Sequence, residues 1–221
     1  MKKPYNLNTN SRRFSRIDKL LIEIDRGLRV LTHNIQAGRK SPADIHNEME
    51  LNQQERKHIA GLMRVNHTGE VCAQALYQGQ ALTAKLPNVK TEMEQAAREE
   101  EDHLVWCEQR LQQLGSNTSM LNPLWYGGSF LLGAAAGAIG DSWSLGFVAA
   151  TEERVCEHLQ THLEEIPSQD KKSRSILEQM LTDEKAHCDK AVKAGGLHFP
   201  KPIKKLMVVT SKLMTKSSYH I

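Results

Sequence analysis

Aromatic residues make up only 5% of this 221-residue chain, and it has just four cysteines and seven prolines. Cys72, Cys107, Cys156 and Cys188 form no C-x-x-C pair, and the chain is neither short nor disulfide-dense. They read as reduced thiols of a cytoplasmic compartment, each within four residues of a ligand candidate identified below. The sparse aromatics, without any nucleic-acid fold signature, argue against nucleic acid as a partner. No G-x-G-x-x-G is present, so no built-in nucleotide site is expected. The N-terminus has basic residues but no apolar run, which excludes a secretory signal. Strand-like alternation is weak throughout.

Charge is present but unevenly spread. Residues 1–40 carry ten Lys/Arg against three acids, and residues 201–221 carry five Lys and no acid. With a net charge of +3, the ends at +7 and +5 leave −9 for residues 41–200. An acidic centre between basic ends suits a cation site in the middle and an anionic surface at the ends. Helical periodicity predicts helices near 17–34, 50–84, 89–114, 128–165 with a break near Gly140, 171–194 and 203–216. The breaks are Ser41-Pro42, Leu86-Pro87-Asn88, Leu114–Pro123, Ile166-Pro167-Ser168 and Gly195–Pro200. Ile17, Leu20, Leu21, Ile24, Leu28 and Leu31 mark the first segment as an amphipathic structural helix behind a loose tail, 1–15. The expected organisation is a basic tail and helix (1–47), a bundle (48–195) and a basic C-terminal helix (196–221).

Within the bundle, two E-x-x-H motifs stand out: Glu100–His103 and Glu184–His187. Glu70 lies 30 residues before the first and Glu152 lies 32 before the second. The midpoints fall near residues 86 and 169, on the predicted turns, so each half reads as a helical hairpin with both ligand sets at one height. Positions i and i+3 share a helix face, so the Glu and His of each motif point together. One Glu from each of two helices plus Glu-x-x-His from each of two others is the ligand set of ferritin-like di-metal bundles. The candidate ligands are therefore Glu70, Glu100, His103, Glu152, Glu184 and His187. Glu99, Glu101 and Asp102 compete with Glu100, but only Glu100 is three before His103. Glu153 adjoins Glu152, and spacing barely separates the two; Glu152 is preferred. Asp183 and His158 are either partners that orient ligands or surface residues. Gly69 and Gly79, costly inside a helix at about 1 kcal/mol each, serve close packing or access to the metals.

Residues 111–140 carry no charge, and 130–139 are apolar and small. This crossover (115–145) holds Asn117, Asn122 and Pro123, which argues against a membrane span; a segment lying in or opening onto the bilayer interface fits better than a span, and a helix packed on the bundle is the alternative. Ile203, Leu206, Met207, Leu213 and Met214 form one stripe flanked by Lys204, Lys205, Lys212 and Lys216. Such a basic amphipathic helix is attracted to an anionic membrane surface, or else docks on its own bundle.

Arg64–Glu70, Glu100–Leu104, Ala150–Glu153 and Asp183–His187 resemble, in this order, the motifs of the demethoxyubiquinone hydroxylase family, and the similarity runs from about residue 17 to the end. The resemblance implies an all-α, ferritin-like four-helix di-iron bundle with extra membrane-facing helices. It implies two iron ions per chain on the six residues above, and it chooses Glu152 over Glu153. It further implies an O2-dependent monooxygenase acting on a membrane-borne polyprenylated 6-methoxy-3-methyl-benzoquinol, late in ubiquinone biosynthesis. Electrons would come from the quinol or NADH. The expected location is peripheral, on the cytoplasmic face of a bacterial inner membrane, with other ubiquinone-biosynthesis proteins as partners. The family's animal members carry Tyr where this chain has Leu159, so no role of that Tyr carries over. The rivals are a ferritin-like iron store or peroxidase, a di-iron quinol oxidase, and a metal-free membrane scaffold.

Overall fold

The computed structural model describes residues 15–221. In chain order these form α1 (Arg16–Leu31), a 3-10 turn (Pro42–Ile45), α2 (Gln53–Thr83), α3 (Pro87–Gln113), α4 (Asn122–Ile139), α5 (Asp141–Glu165), α6 (Lys171–Lys193) and α7 (Lys201–His220). No strand occurs among the described residues. The tail expected over 1–15 lies outside them except for Ser15, which caps α1.

Most boundary shifts have one cause. Pro87, Pro123 and Pro202 each occupy the first two positions of a helix, where the missing N–H has no intrahelical partner and the fixed φ suits the turn. These prolines start helices, so α4 begins at Asn122 rather than near 128. The expected break at Gly140 separates α4 from α5. At the start of α2, Asn52 and Glu55 form a reciprocal capping box, each side chain accepting from the other's backbone N–H. Helix α1 stops at Leu31, short of 34, because His33 takes a left-handed φ of 58°.

Helices α2 and α3 form one hairpin, and α5 and α6 the other. Their turns lie at opposite ends of the bundle. Asp141, at the start of α5, accepts from the N–H groups of Lys85 and Leu86 at 3.0 Å, which ties the first turn to the second hairpin. At the other end the buried Arg110 donates to Asp170 (3.0 Å), Ser173 (2.8 Å) and Glu48. The apolar core divides into two layers. One contains Ile59, Met63, Trp106, Leu159, Ile176 and Met180; the other contains Tyr77, Val89, Met93, Leu145, Val148 and Ala191. The ligand candidates occupy the level between them.

Helix α4 returns the chain along α2, running parallel to it. Contact is close: a Cβ on Gly79 would sit 2.3 Å from the Phe130 carbonyl oxygen, and one on Gly133 would sit 2.2 Å from that of Leu76. Only glycine permits such backbone approach. One face of the apolar crossover is thus packed on the bundle through Gly133, Ala136 and Gly137, while Leu124, Leu131, Leu132 and Ile139 face outward. The stripe on α1 behaves differently from a packing face. Val30 is buried on the bundle, but Ile17, Leu21, Ile24 and Leu28 are all exposed. Helix α7 crosses α2, with Tyr219 against Gly61 and its hydroxyl 2.7 Å from His58 Nδ1. No helix among the described residues is long and apolar enough to cross a membrane.

Candidate metal centre

All six candidates converge at mid-bundle, and each is 6% exposed or less. Glu70 comes from α2, Glu100 and His103 from α3, Glu152 from α5, and Glu184 and His187 from α6. The two E-x-x-H glutamates stand between the two histidines. His103 Nδ1 lies 2.8 Å from Glu100 Oε2 and 3.1 Å from Glu184 Oε1. His187 Nδ1 lies 3.0 Å from Glu100 Oε1 and 3.2 Å from Glu184 Oε2. Each of these carboxylates therefore presents one oxygen to each imidazole, the disposition of a ligand shared by two cations. Glu70 belongs to the His103 side, at 3.6 Å. Glu152 belongs to the other side, where it accepts a hydrogen bond from the Tyr77 hydroxyl.

The donor set fits two divalent cations. Four carboxylates in a water-poor interior are opposed by only two imidazoles, and two +2 ions would balance them. Without a cation, charge is managed by protons. Burial, reinforced by neighbouring carboxylates, pushes Glu70 and Glu152 well above the usual carboxylate range. Burial disfavours a charged His187 ring, but Glu100 and Glu184 outweigh it and raise its pKa to about 12. His103 is likewise raised, against burial, chiefly by Glu100. Glu100 Oε1 is buried 3.0 Å from His187 Nδ1, and a cation held by the two together would take the place of a proton between them. Mixed carboxylate–imidazole donors suit first-row transition ions.

The other ring nitrogens place Asp183 as an orienting partner, one of the two readings its sequence position leaves open, and give the same part to Glu99, which the sequence offers only as a competing ligand. His103 Nε2 lies 3.0 Å from Asp183 Oδ2, and His187 Nε2 lies 2.7 Å from Glu99 Oε2. Each histidine is therefore oriented by an acid of the opposite hairpin. The signal was available in the sequence: an acid immediately precedes both E-x-x-H motifs, Glu99 before Glu100 and Asp183 before Glu184. Arg39 extends one of these contacts, donating to Asp183 (2.9 Å) and to Asp102, with its guanidinium 4.9 Å from the Trp106 ring centre. The rejected neighbours lie elsewhere: Asp102 on Arg39 and the Gly38 N–H, Glu153 on Lys204 at the surface, and Glu101 half-buried. His158 touches none of the six; it packs on His162 with ring centres 3.8 Å apart. Asp183→Ala is expected to weaken binding of the cation on the His103 side by roughly 10–100-fold while sparing the other. Stoichiometric titration with Fe(II) or Mn(II) checks this, and two unaltered equivalents would contradict the orienting role.

The cysteines pack around this level as free thiols. Burial raises Cys72 and Cys156 to about 11, so both stay protonated. The two glycines divide between their two expected uses. Gly79 serves close packing on α4, whereas a Cβ on Gly69 would meet nothing within 4 Å. Gly69 instead borders an apolar groove of about 260 Å³ between α2, α4, α5 and α7. Leu76, Leu132, Phe147, Leu206 and Met207 contribute to its walls, and Glu70 lies in the lining. The level of Glu70 is thereby open to a greasy molecule on one side.

The family model described as ubiquinone biosynthesis protein COQ7 matches residues 57–218. A 3-demethoxyubiquinol 3-hydroxylase of Pseudomonas fluorescens (strain Pf0-1) is 58% identical over 214 residues, 96% of this chain and 100% of that protein. Proteins of the same name from Ectopseudomonas mendocina (strain ymp) and Stutzerimonas stutzeri (strain A1501) are each 59% identical over 213 residues, 96% of this chain and 99% of theirs. The match to the family spans well over half of the sequence, including every residue that converges between the two core layers, and the chain belongs to the COQ7 family of ubiquinone biosynthesis proteins.

Proposed function

We propose that this protein is a di-iron monooxygenase that hydroxylates demethoxyubiquinol, a polyprenylated 6-methoxy-3-methyl-benzoquinol, with O2. The observation that carries this reading is the apolar groove ending at Glu70. An iron store needs ligands but no greasy channel to them. Glu70, Glu100, His103, Glu152, Glu184 and His187 would hold two irons, with Glu100 and Glu184 shared. When bound, the irons would supply activation of O2, one atom of which enters the ring as hydroxyl while the other leaves as water. The two electrons and two protons come from the quinol, which leaves as the quinone, or from NADH. The protein's own part is positioning. Asp183 and Glu99 fix the histidine rings, Tyr77 holds Glu152 through its hydroxyl, and the apolar walls keep water from the reacting ring. The test is turnover under oxygen-18 gas. The label is expected in the new ring hydroxyl; label found only in water supports a quinol oxidase instead and overturns the hydroxylase.

Membrane contact belongs to the same proposal. The groove lies between α4 and α7, whose outer faces expose Leu124, Leu131, Ile139, Leu206, Val209 and Leu213. A substrate dissolved in lipid could reach Glu70 from that side without crossing water. Lys205, Lys212 and Lys216 are exposed on α7, whereas Lys204 is engaged with Glu153. The site of action proposed is the cytoplasmic face of a bacterial inner membrane, bound peripherally, among other ubiquinone-biosynthesis proteins. Changing Lys205, Lys212 and Lys216 to Glu is expected to weaken binding to anionic vesicles by about 10²-fold or more, at about 1 kcal/mol per lysine removed. Iron content should not change. Equal vesicle binding by variant and parent at low salt removes the electrostatic part of the argument.

A further inference from the structure

The groove is apolar, but it contains polar groups with nothing to bind. Asn66 is 3% exposed and lines it, yet neither its Oδ1 nor its Nδ2 has a hydrogen-bond partner. Trp125 Nε1, Arg154 Nε and His158 Nε2 line the same groove and are likewise buried without partners. Buried polar atoms are rarely left unpaired in native proteins, because desolvation without a new partner is costly. Asn66 is the extreme case, since it forgoes both ends of an amide. It also lies one turn before Glu70, on the same face of α2.

The pattern of unmet demand describes a ligand. An amide offers one acceptor and one donor side by side. Its complement is a pair of adjacent oxygens of which one carries a proton. A benzoquinol with a hydroxyl beside a methoxyl is such a pair; a hydrocarbon chain is not. We propose that Asn66 is the specificity-determining residue for the substrate ring. Its Oδ1 accepts from the ring hydroxyl, and its Nδ2 donates to the neighbouring methoxyl oxygen. Trp125 and Arg154 supply further donors to ring oxygens. Asn66 thereby selects which edge of the ring is presented to Glu70. This inference rests on the proposed quinol reading and names a determinant within it.

The experiment is anaerobic binding to the iron-loaded protein, read by quenching of tryptophan fluorescence, Trp125 being in the groove. Three short-chain probes are compared: the methoxy-quinol, its analogue with ethyl in place of methoxyl, and an alkylbenzene with no ring oxygen. The unaltered protein is expected to prefer the methoxy-quinol over the ethyl analogue by roughly 10–100-fold. Asn66→Leu should abolish that preference while leaving alkylbenzene binding and the iron spectrum unchanged. Asn66→Ser, smaller and still polar, should retain part of it. Equal binding of the two quinols by the unaltered protein overturns the proposal, and this arm needs no variant to fold. Preference undiminished in Asn66→Leu, or a changed iron spectrum with quinol binding intact, overturns it as well. Because binding is measured without turnover, selective binding with no ring hydroxylation would instead sink the monooxygenase reading and leave the Asn66 assignment standing.

Discussion

Glu184→Ala should abolish hydroxylation and lose both irons, not one. The carboxylate is 1% exposed and within 3.2 Å of both imidazoles, so each cation would lose the same ligand. The affinity loss should exceed the roughly 10–100-fold typical of losing an orienting partner alone. The thermal behaviour should separate this from simple damage. In the metal-free protein Glu184 is paired with both imidazoles, so its removal leaves buried positive charge less compensated and the metal-free variant should melt below the metal-free parent. The parent should gain stability on metal addition, about 2.7 kcal/mol at a hundredfold excess over Kd, and the variant should not. Two metals retained per chain in the variant would show that Glu184 is not a shared ligand.

The second large effect is expected at Gly69, where a substitution should leave the fold and the iron intact and still stop catalysis. A Cβ there enters open space, so Gly69→Ala costs no packing and removes a helical glycine, a gain of up to about 1 kcal/mol, and Gly69→Leu starts from the same open position. A leucine side chain would extend into the groove beside Glu70. Misplacing the ring by about 1 Å is enough to lower kcat/KM roughly 10²-fold. Alanine should fall in between, and iron content should stay at the parent value in both. If Gly69→Leu turns over the quinol at the parent rate, the groove is not the substrate's path. If it loses iron, Gly69 serves the metal site rather than access.

These expectations draw on features that were unequally legible in the sequence. The six convergent residues could be found because helices have a fixed rise: equal spacing from a turn means equal height. The two turns lie at opposite ends of the bundle, so the two hairpins' sets meet only because each ligand also sits near the middle of its helix. Spacing also could not separate Glu152 from Glu153, whose 31 residues to Glu184 come nearer the 30 of the first half. Packing does distinguish them, enclosing Glu152 with the other candidates and leaving Glu153 on the surface with Lys204. Periodicity located α1 but not its buried face, because Ile17, Leu21, Ile24 and Leu28 satisfy a helical stripe whether or not anything covers them. Prolines were ambiguous for a related reason: the residue that ends one helix is also welcome at the start of the next. The roles of Glu99 and Asp183 depend on contacts between hairpins, which no local period encodes.

Those two cross-contacts carry a consequence for how the protein matures. Neither hairpin owns a finished half of the centre, since each histidine is aligned by the other hairpin's acid and faces the other hairpin's glutamate. An isolated hairpin would therefore hold iron poorly, and on the proposed ligand set loading would wait until the two have docked. The bound ions would then act as rivets across the seam, and separating the hairpins would mean giving up both at once. Metal occupancy would thus report assembly: iron in the chain would mean that its two halves had already met.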